Sequence, residues 1–284
     1  MIDYSFNLTT TPERLEERVS LEKTLESLNN QTSPPRKIRI AIPEYYIRWK
    51  KYYNSIPKWL TAIPNVEIVR CNDYGPATKW MCATHADTEY VIVCDDDRYF
   101  HNDTSAKLIK AINDIKCDSI SFYGMWWWID PDDQSKGVDE SFMICQAADA
   151  WITRTECLKD YPKFWYRAFN YFEQSFYVDD VLTSAYMLYK DIEYTCIDYD
   201  KDNENVTSAE DLPTTFSKYS LLNIHDIEKK WLRKRQQTEV RDNMLEMIKN
   251  ETNLDTFPEN MTIELTENLV RNDGTSINPT FFSN

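Results

Sequence analysis

Apolar and polar positions change their spacing several times along the chain, and each change marks an element. Tyr4 to Leu8 reads as a short strand. It runs into Thr9-Thr10-Thr11-Pro12-Glu13, where a hydroxyl cap, a proline at the first helical position and an early acid announce a helix. That helix is expected to carry Leu15, Val19, Leu25 and Leu28 inward. Lys37 to Ile42 reads as the next strand, closed by Pro43, and Val66 to Val69 as another. Tyr90 to Cys94 is an unbroken apolar run of strand length, which suits a central strand covered on both faces. Strands alternating with helices predict an α/β fold with a mostly parallel central sheet and helices on both faces.

After residue 118 the strands become shorter, with Ser119 to Trp128 and Phe142 to Gln146 as candidates and a helix near Val178 to Lys190. Residues 198–217 are polar and irregular and read as a loop or lid. A helix is expected from about Ile224 to Lys249, and the last thirty residues show only a weak pattern. At 284 residues one domain is expected. Residues 1–200 would form its core, and residues 201–284 a lid, a long helix and a C-terminal extension packed on the same domain.

Composition narrows the chemistry. Only four glycines occur, against a usual share of about 7%, so a GxGxxG or Walker phosphate cradle is excluded. A net charge of −15 repels phosphate backbones and anionic lipid, so nucleic acid is not an expected partner. An anionic substrate would need its charge neutralised in the site, and a divalent cation does this in an acidic protein. The seven cysteines show no zinc spacing and suit a reducing compartment. No apolar run reaches the length of a membrane span, and no signal peptide is read at the N-terminus, so a cytoplasmic protein is expected.

The sharpest motif is Asp95-Asp96-Asp97, at the end of the apolar strand. Ligands of open α/β sheets bind at the carboxyl ends of strands. Three adjacent carboxylates repel one another unless a cation is near. Mg²⁺ or Mn²⁺ held by one or two carboxylates plus substrate phosphates fits such a place. The plainer alternative is a solvated acidic turn before a helix near Asp103.

Three segments, Leu8-Thr9-Thr10-Thr11-Pro12-Glu13-Arg14, Asp73-Tyr74-Gly75-Pro76-Ala77-Thr78-Lys79 and Asp95-Asp96-Asp97, come in this order. Together they resemble the GT-A fold nucleotide-sugar glycosyltransferases, and more narrowly the chlorovirus capsid-glycan glycosyltransferases, over roughly residues 4–190. The resemblance implies a GT-A type α/β core with an acceptor subregion and a C-terminal helical extension. It implies transfer of a hexose or deoxyhexose, of glucose or rhamnose type, from a nucleoside diphosphate sugar, UDP favoured, to a glycan hydroxyl. A viral capsid-glycan role would place the enzyme in the host cytoplasm.

By the same resemblance, Thr9, Thr10, Arg14, Asp73, Gly75, Lys79, Asp95 and Asp96 go with the nucleotide sugar. Asp95 and Asp97, with His225 arriving from the C-terminal part, go with the metal. Asp179 and Asp180 open an apolar helical segment and are similar in place to an acceptor base, with Glu173 as the alternative. Acids at a helix start also favour its dipole, so a structural role stays open for that pair. Asp149, in Ala147-Ala148-Asp149, matches the turn that meets the donor sugar. Trp126, Trp127 and Trp128 offer faces for acceptor sugars or for core packing. Glu228 to Arg241 is a basic stretch that reads as a solvated helix face. A nucleotidyltransferase or sugar-nucleotide hydrolase would share the carboxylate site, and a noncatalytic carbohydrate-binding protein would use the tryptophans alone.

Overall fold

The computed structural model describes residues 2–126, 143–197, 209–212 and 227–250, together with the paired strands Leu269–Val270 and Ser276–Ile277. The strands are β1 (Tyr4–Thr9), β2 (Lys37–Pro43), a small hairpin of β3 (Tyr45–Tyr46) and β4 (Lys51–Tyr52), β5 (Val66–Cys71), β6 (Tyr90–Val93), β7 (Arg98–Phe100), β8 (Ser119–Trp126), β9 (Met143–Arg154), β10 (Tyr194–Cys196) and β11 (Ala209–Asp211). The helices are α1 (Pro12–Glu17), α2 (Val19–Asn29), α3 (Lys58–Thr61), α4 (Thr78–Ala83), α5 (Thr104–Ile115), α6 (Tyr161–Tyr171), α7 (Asp179–Tyr189) and α8 (Ile227–Asn250).

Seven strands form the central sheet in the order β10-β8-β9-β6-β1-β2-β5. Every neighbouring pair is parallel except the two made by β9, which runs against β6 and β8. Strand periodicity sorts the core. Phe6, Leu8, Ile38, Ile40, Ile42, Tyr90 and Ile92 face one side, with Leu15, Leu25, Leu28, Leu108 and Ile112 from α1, α2 and α5 packed on them. Val91 and Val93 face the other side, against Trp80 of α4, Trp165 of α6, Leu182 of α7 and Met244 of α8. The sheet is therefore covered on both faces, as the apolar run of β6 requires.

Beside the apolar residues, Ser5, Asn7 and Arg39 are buried too, and they are satisfied within the layer. Ser5 Oγ lies 3.0 Å from Thr88 Oγ1, and Arg39 Nη1 donates to the Cys82 carbonyl at 2.8 Å. Buried polar groups need such partners, and the Arg39 bond ties α4 to the sheet.

Three expectations are corrected by the tertiary structure. The single helix expected over Pro12 to Leu28 is broken at Arg18, whose φ of 69° is left-handed, and the break resets the helical phase. Val19 consequently points outward at 54% exposure, and Leu21 takes a core place instead. The strand expected to stop at Gln146 continues to Arg154, so Ala147-Ala148-Asp149 is not a turn between elements. It belongs to a bulge, where pairing jumps from Ser121↔Trp151 to Tyr123↔Gln146 and Ala150 adopts φ 82°. The polar stretch read as a lid carries the short strand β11, which pairs with β7. Its neighbour Leu212 donates a backbone N–H to the Asp97 carbonyl at 3.2 Å.

Candidate functional site

Because β1, β2, β5 and β6 are parallel, the turns after them converge at one edge of the sheet. There they line a cavity of about 210 Å³ with Thr9, Thr10, Thr11, Arg14, Asp73, Gly75, Lys79, Asp95, Asp96 and Asp97 in its walls. The start of α7 adds Asp179 and Asp180, and the β9 bulge adds Gln146 and Ala148. Residues far apart in the chain are thus gathered by strand order and by the packing of the helices on the sheet.

The turn after β1 is held by its own threonines. Thr9 Oγ1 donates to the Ala41 carbonyl at 3.0 Å, and Thr11 caps α1 by accepting the Arg14 N–H at 3.4 Å. Starting α1 here aims the Arg14 side chain at the triplet, where its guanidinium bonds Asp96 Oδ1 and Asp97 Oδ2. Thr24 of α2 donates to the Asp96 carbonyl at 3.0 Å. Asp96 and Asp97 are buried, while Asp95 is partly open to the cavity.

Asp73 is fully engaged in the turn after β5. Its Oδ2 accepts the Ile47 N–H and its Oδ1 the Gly75 N–H, both at 2.8 Å. Burial pushes its carboxyl up to about 6 despite those two donors. Gly75 has φ 63°, and a Cβ there would lie 2.3 Å from the Phe176 carbonyl oxygen. Glycine is demanded by that backbone approach and by the left-handed conformation.

Lys79, on α4, is buried and bonds Asp95 Oδ1; its Nζ also lies 3.0 Å from Asp179 Oδ2. It thereby joins the triplet to α7. Burial alone would favour its neutral form, but the charges of Asp179, Asp95 and Asp180 hold it well above the usual lysine range. The phosphate contact expected of this lysine therefore competes with two carboxylates that it already neutralises.

The carboxylates differ in proton affinity. Burial works against an ionised Asp95, but the charge and hydrogen bond of Lys79 outweigh it and hold that group below the usual range. Burial pushes Asp97 up to about 7 against the pull of Arg14, with the charges of Asp96 and Asp95 adding to the rise. Asp180 goes up to about 8 through burial and the charge of Asp179, although Lys79 and the Ala147 N–H oppose it. That N–H donates to Asp180 Oδ1 at 3.0 Å and fixes the carboxyl against the β9 bulge.

Several expected residues lie elsewhere. Asp149 forms an ion pair with Arg98 at the base of β7 rather than lining the cavity. Glu173 opens the 3-10 turn Glu173–Tyr177 and is also outside the lining. Trp126 ends β8, while Trp127, Trp128 and His225 lie outside the described residues. The sequence reading missed Tyr46, Arg48 and Trp49 from the β3 hairpin, Phe176, and Gln237 of α8. Tyr45-Tyr46-Ile47-Arg48-Trp49 sets three aromatic residues and one arginine soon after a strand end, and that signal is present in the sequence. Nothing local marks Gln237, which reaches the cavity from a helix read as solvated.

No protein-family model matches the chain, and no curated protein does. Among solved structures it is similar to S. aureus TarS 1-349 in complex with UDP-GlcNAc, at 17% identity and a TM-score of 0.42, over 74% of this chain and 62% of that one. It is similar to the mannosyltransferase PcManGT from Pyrobaculum calidifontis in complex with GDP-Man and Mn²⁺, at 17% identity and a TM-score of 0.39, over 56% and 46%. It is also similar to the bifunctional IspDF from Campylobacter jejuni, at 14% identity and a TM-score of 0.42, over 75% and 53%. The chain spans 49% of the length of another TarS 1-349 structure that it matches.

Proposed function

We propose that this chain is a GT-A type glycosyltransferase that moves a hexose or deoxyhexose from a nucleoside diphosphate sugar to a glycan hydroxyl. One observation carries the reading: Asp95, Asp96, Asp97, Asp179 and Asp180 line one cavity, where Arg14 is ion-paired with Asp96 and Asp97 and Lys79 with Asp95 and Asp179. Five carboxylates gathered around two such cations suit a site that receives further positive charge.

The donor atoms fit Mg²⁺ or Mn²⁺. Among the described residues no three His, Cys, Asp or Glu side chains form a ready cage. Mg²⁺ commonly needs only one or two carboxylates and takes its remaining ligands from phosphates and water. Asp97 and Asp95 are the residues that would hold it; burial, with the charges of Asp96 and Asp95 beside it, raises the proton affinity of Asp97, and a bound cation would offset both. A bound divalent ion would supply Lewis-acid stabilisation of charge on the departing diphosphate.

The chain's own groups account for the remainder. In the transfer, the bond from the anomeric carbon to the diphosphate oxygen breaks and its electron pair leaves with the diphosphate. The acceptor oxygen bonds to that carbon and gives up its proton. In this reading Asp180 takes that proton, supported by its place in the cavity wall and by a proton affinity pushed up to about 8, which suits a base working close to neutral pH. Asp179 stays beside Lys79, which leaves Asp180 the better acceptor of the pair.

Incubation with donor, acceptor and Mn²⁺ tests the reading. Asp97→Ala should lower metal-dependent release of nucleoside diphosphate by about 10²-fold or more while the fold is retained. Unchanged turnover in excess chelator would refute the metal role. Pyrophosphate as the product would identify a nucleotidyltransferase instead.

A further inference from the structure

The turn after β5 and helix α4 supply one wall of the cavity, and a cysteine flanks each. Cys71 ends β5 and Cys82 lies near the end of α4. Strand register brings the two together. Arg39 stands opposite Glu67 in the β2–β5 pair, and its Nε donates to Glu67 Oε1 at 3.3 Å. Cys71 follows Glu67 by four residues on the same strand, so the two-residue period of a strand puts both on one side of the sheet. The same guanidinium donates through Nη1 to the Cys82 carbonyl at 2.8 Å, which sets α4 over that side. There the Cys71 thiol donates to the Cys82 sulfur. Cys71 is half-buried on the edge strand of the sheet, and Cys82 lies buried behind it.

This pair differs from the other thiols in charge. The hydrogen bond from Cys71 holds Cys82 below the ordinary thiol range against the effect of its burial, with the charge of Arg39 helping. Burial pushes Cys94, Cys117, Cys145 and Cys157 up instead. The thiolate is the form that attacks an oxidant, so Cys82 is the reactive member and Cys71, already in contact with it, the resolving one.

We infer that Cys71 and Cys82 form a reversible disulfide on exposure to hydrogen peroxide, a modification site in the wall of the cavity. The Cys82 sulfur attacks one peroxide oxygen and the O–O bond breaks, which leaves a sulfenic acid and, with the thiol's proton, one water. The Cys71 sulfur then attacks the Cys82 sulfur, the S–OH bond breaks, and the hydroxide departs as water with the Cys71 proton. Two thiols are oxidised and one peroxide is reduced to two waters. The new bond closes a ring over Asn72 to Met81, which contains Asp73, Gly75 and Lys79 of the cavity lining. Oxidation thus ties the turn after β5 to α4, whatever reaction the cavity serves.

The experiment exposes the full chain to hydrogen peroxide under native conditions, blocks the remaining thiols with N-ethylmaleimide, and maps tryptic peptides by mass. Trypsin cuts after Arg70, Lys79 and Arg98, so Cys71 falls in one peptide and Cys82 in the next, together with Cys94. The expected product is these two peptides joined, two hydrogens lighter than their sum, with fragment ions placing the bond on Cys82. Dithiothreitol should separate them. Cys82→Ser should leave Cys71 open to N-ethylmaleimide after the same treatment; should that variant fail to fold, the fragment ions from the unaltered chain decide alone. Recovery of both cysteines as maleimide adducts, their conversion to sulfinic acid without a link, or a bond from Cys71 to any other cysteine overturns the inference. A joined peptide that survives in Cys82→Ser runs through Cys94 and overturns it as well.

Discussion

At the β6–β9 end of the cavity, five aspartates share Arg14 and Lys79; at the β2–β5 end, one buried aspartate is spent on backbone N–H groups and the wall is aromatic. The first end is electrostatically stressed. Two of its carboxyls sit at about 7 and about 8, where an exposed aspartate would sit near 4. At the second end Asp73 and Tyr46 have made their hydrogen bonds and the rings are packed. The difference teaches that one cavity can combine a region that waits for charge with a region whose one carboxylate is already engaged, and the two should answer differently to mutation and to pH.

Removing a cation from the stressed end gives the largest contrast. Lys79→Met leaves Asp179 buried without its partner and Asp95 without the cation beside it, and loss of one member of a buried ion pair costs about 3–5 kcal/mol. Chemical denaturation should show that loss. A change below about 1 kcal/mol would mean that water already reaches both carboxylates.

Proton linkage gives the next contrast. The folded pKa values of Asp97 and Asp180 lie above the unfolded value near 4, so the folded chain holds these protons more tightly. Their penalty is absent below about pH 4, accumulates as pH rises toward 7 and 8, and is complete above that. The metal-free, nucleotide-free chain should therefore lose melting temperature between pH 6 and pH 8.5. Asp180→Asn, which keeps an oxygen for the Ala147 N–H, should flatten the upper part of that fall. Identical pH slopes in the two proteins would contradict the assignment.

The smallest effect belongs to the second end. Tyr46→Phe removes one hydrogen bond to the Thr10 carbonyl and should cost about 1 kcal/mol. Its melting temperature should follow the same pH slope as the unaltered chain. A steeper slope would show that the two ends are coupled.

Much of this was legible in the chain before folding was considered. An apolar run too short for a helix and followed by three aspartates places a carboxylate cluster at a strand's carboxyl end, which is where the cavity lies. The Thr-Thr-Thr-Pro run announces the helix that Thr11 caps. Other parts were misplaced for physical reasons. Asp149 looked like a ligand to a sugar because its neighbours are small, yet the β9 bulge turns it toward Arg98. Val19 fits the helical period, but a left-handed residue before it shifted the phase.

The sequence by itself determined the central strands β1, β2, β5 and β6, the two covered sheet faces and the position of the triplet, because strand and helix periods are local properties of adjacent side chains. Only the tertiary structure decided which charges meet. Arg14 finds Asp96 across 82 residues, Lys79 bridges to α7, and Gln237 returns from the last long helix to the same cavity. Those pairings depend on strand order and on where each helix packs, and burial then gives the gathered carboxyls proton affinities that no isolated stretch of this chain would have.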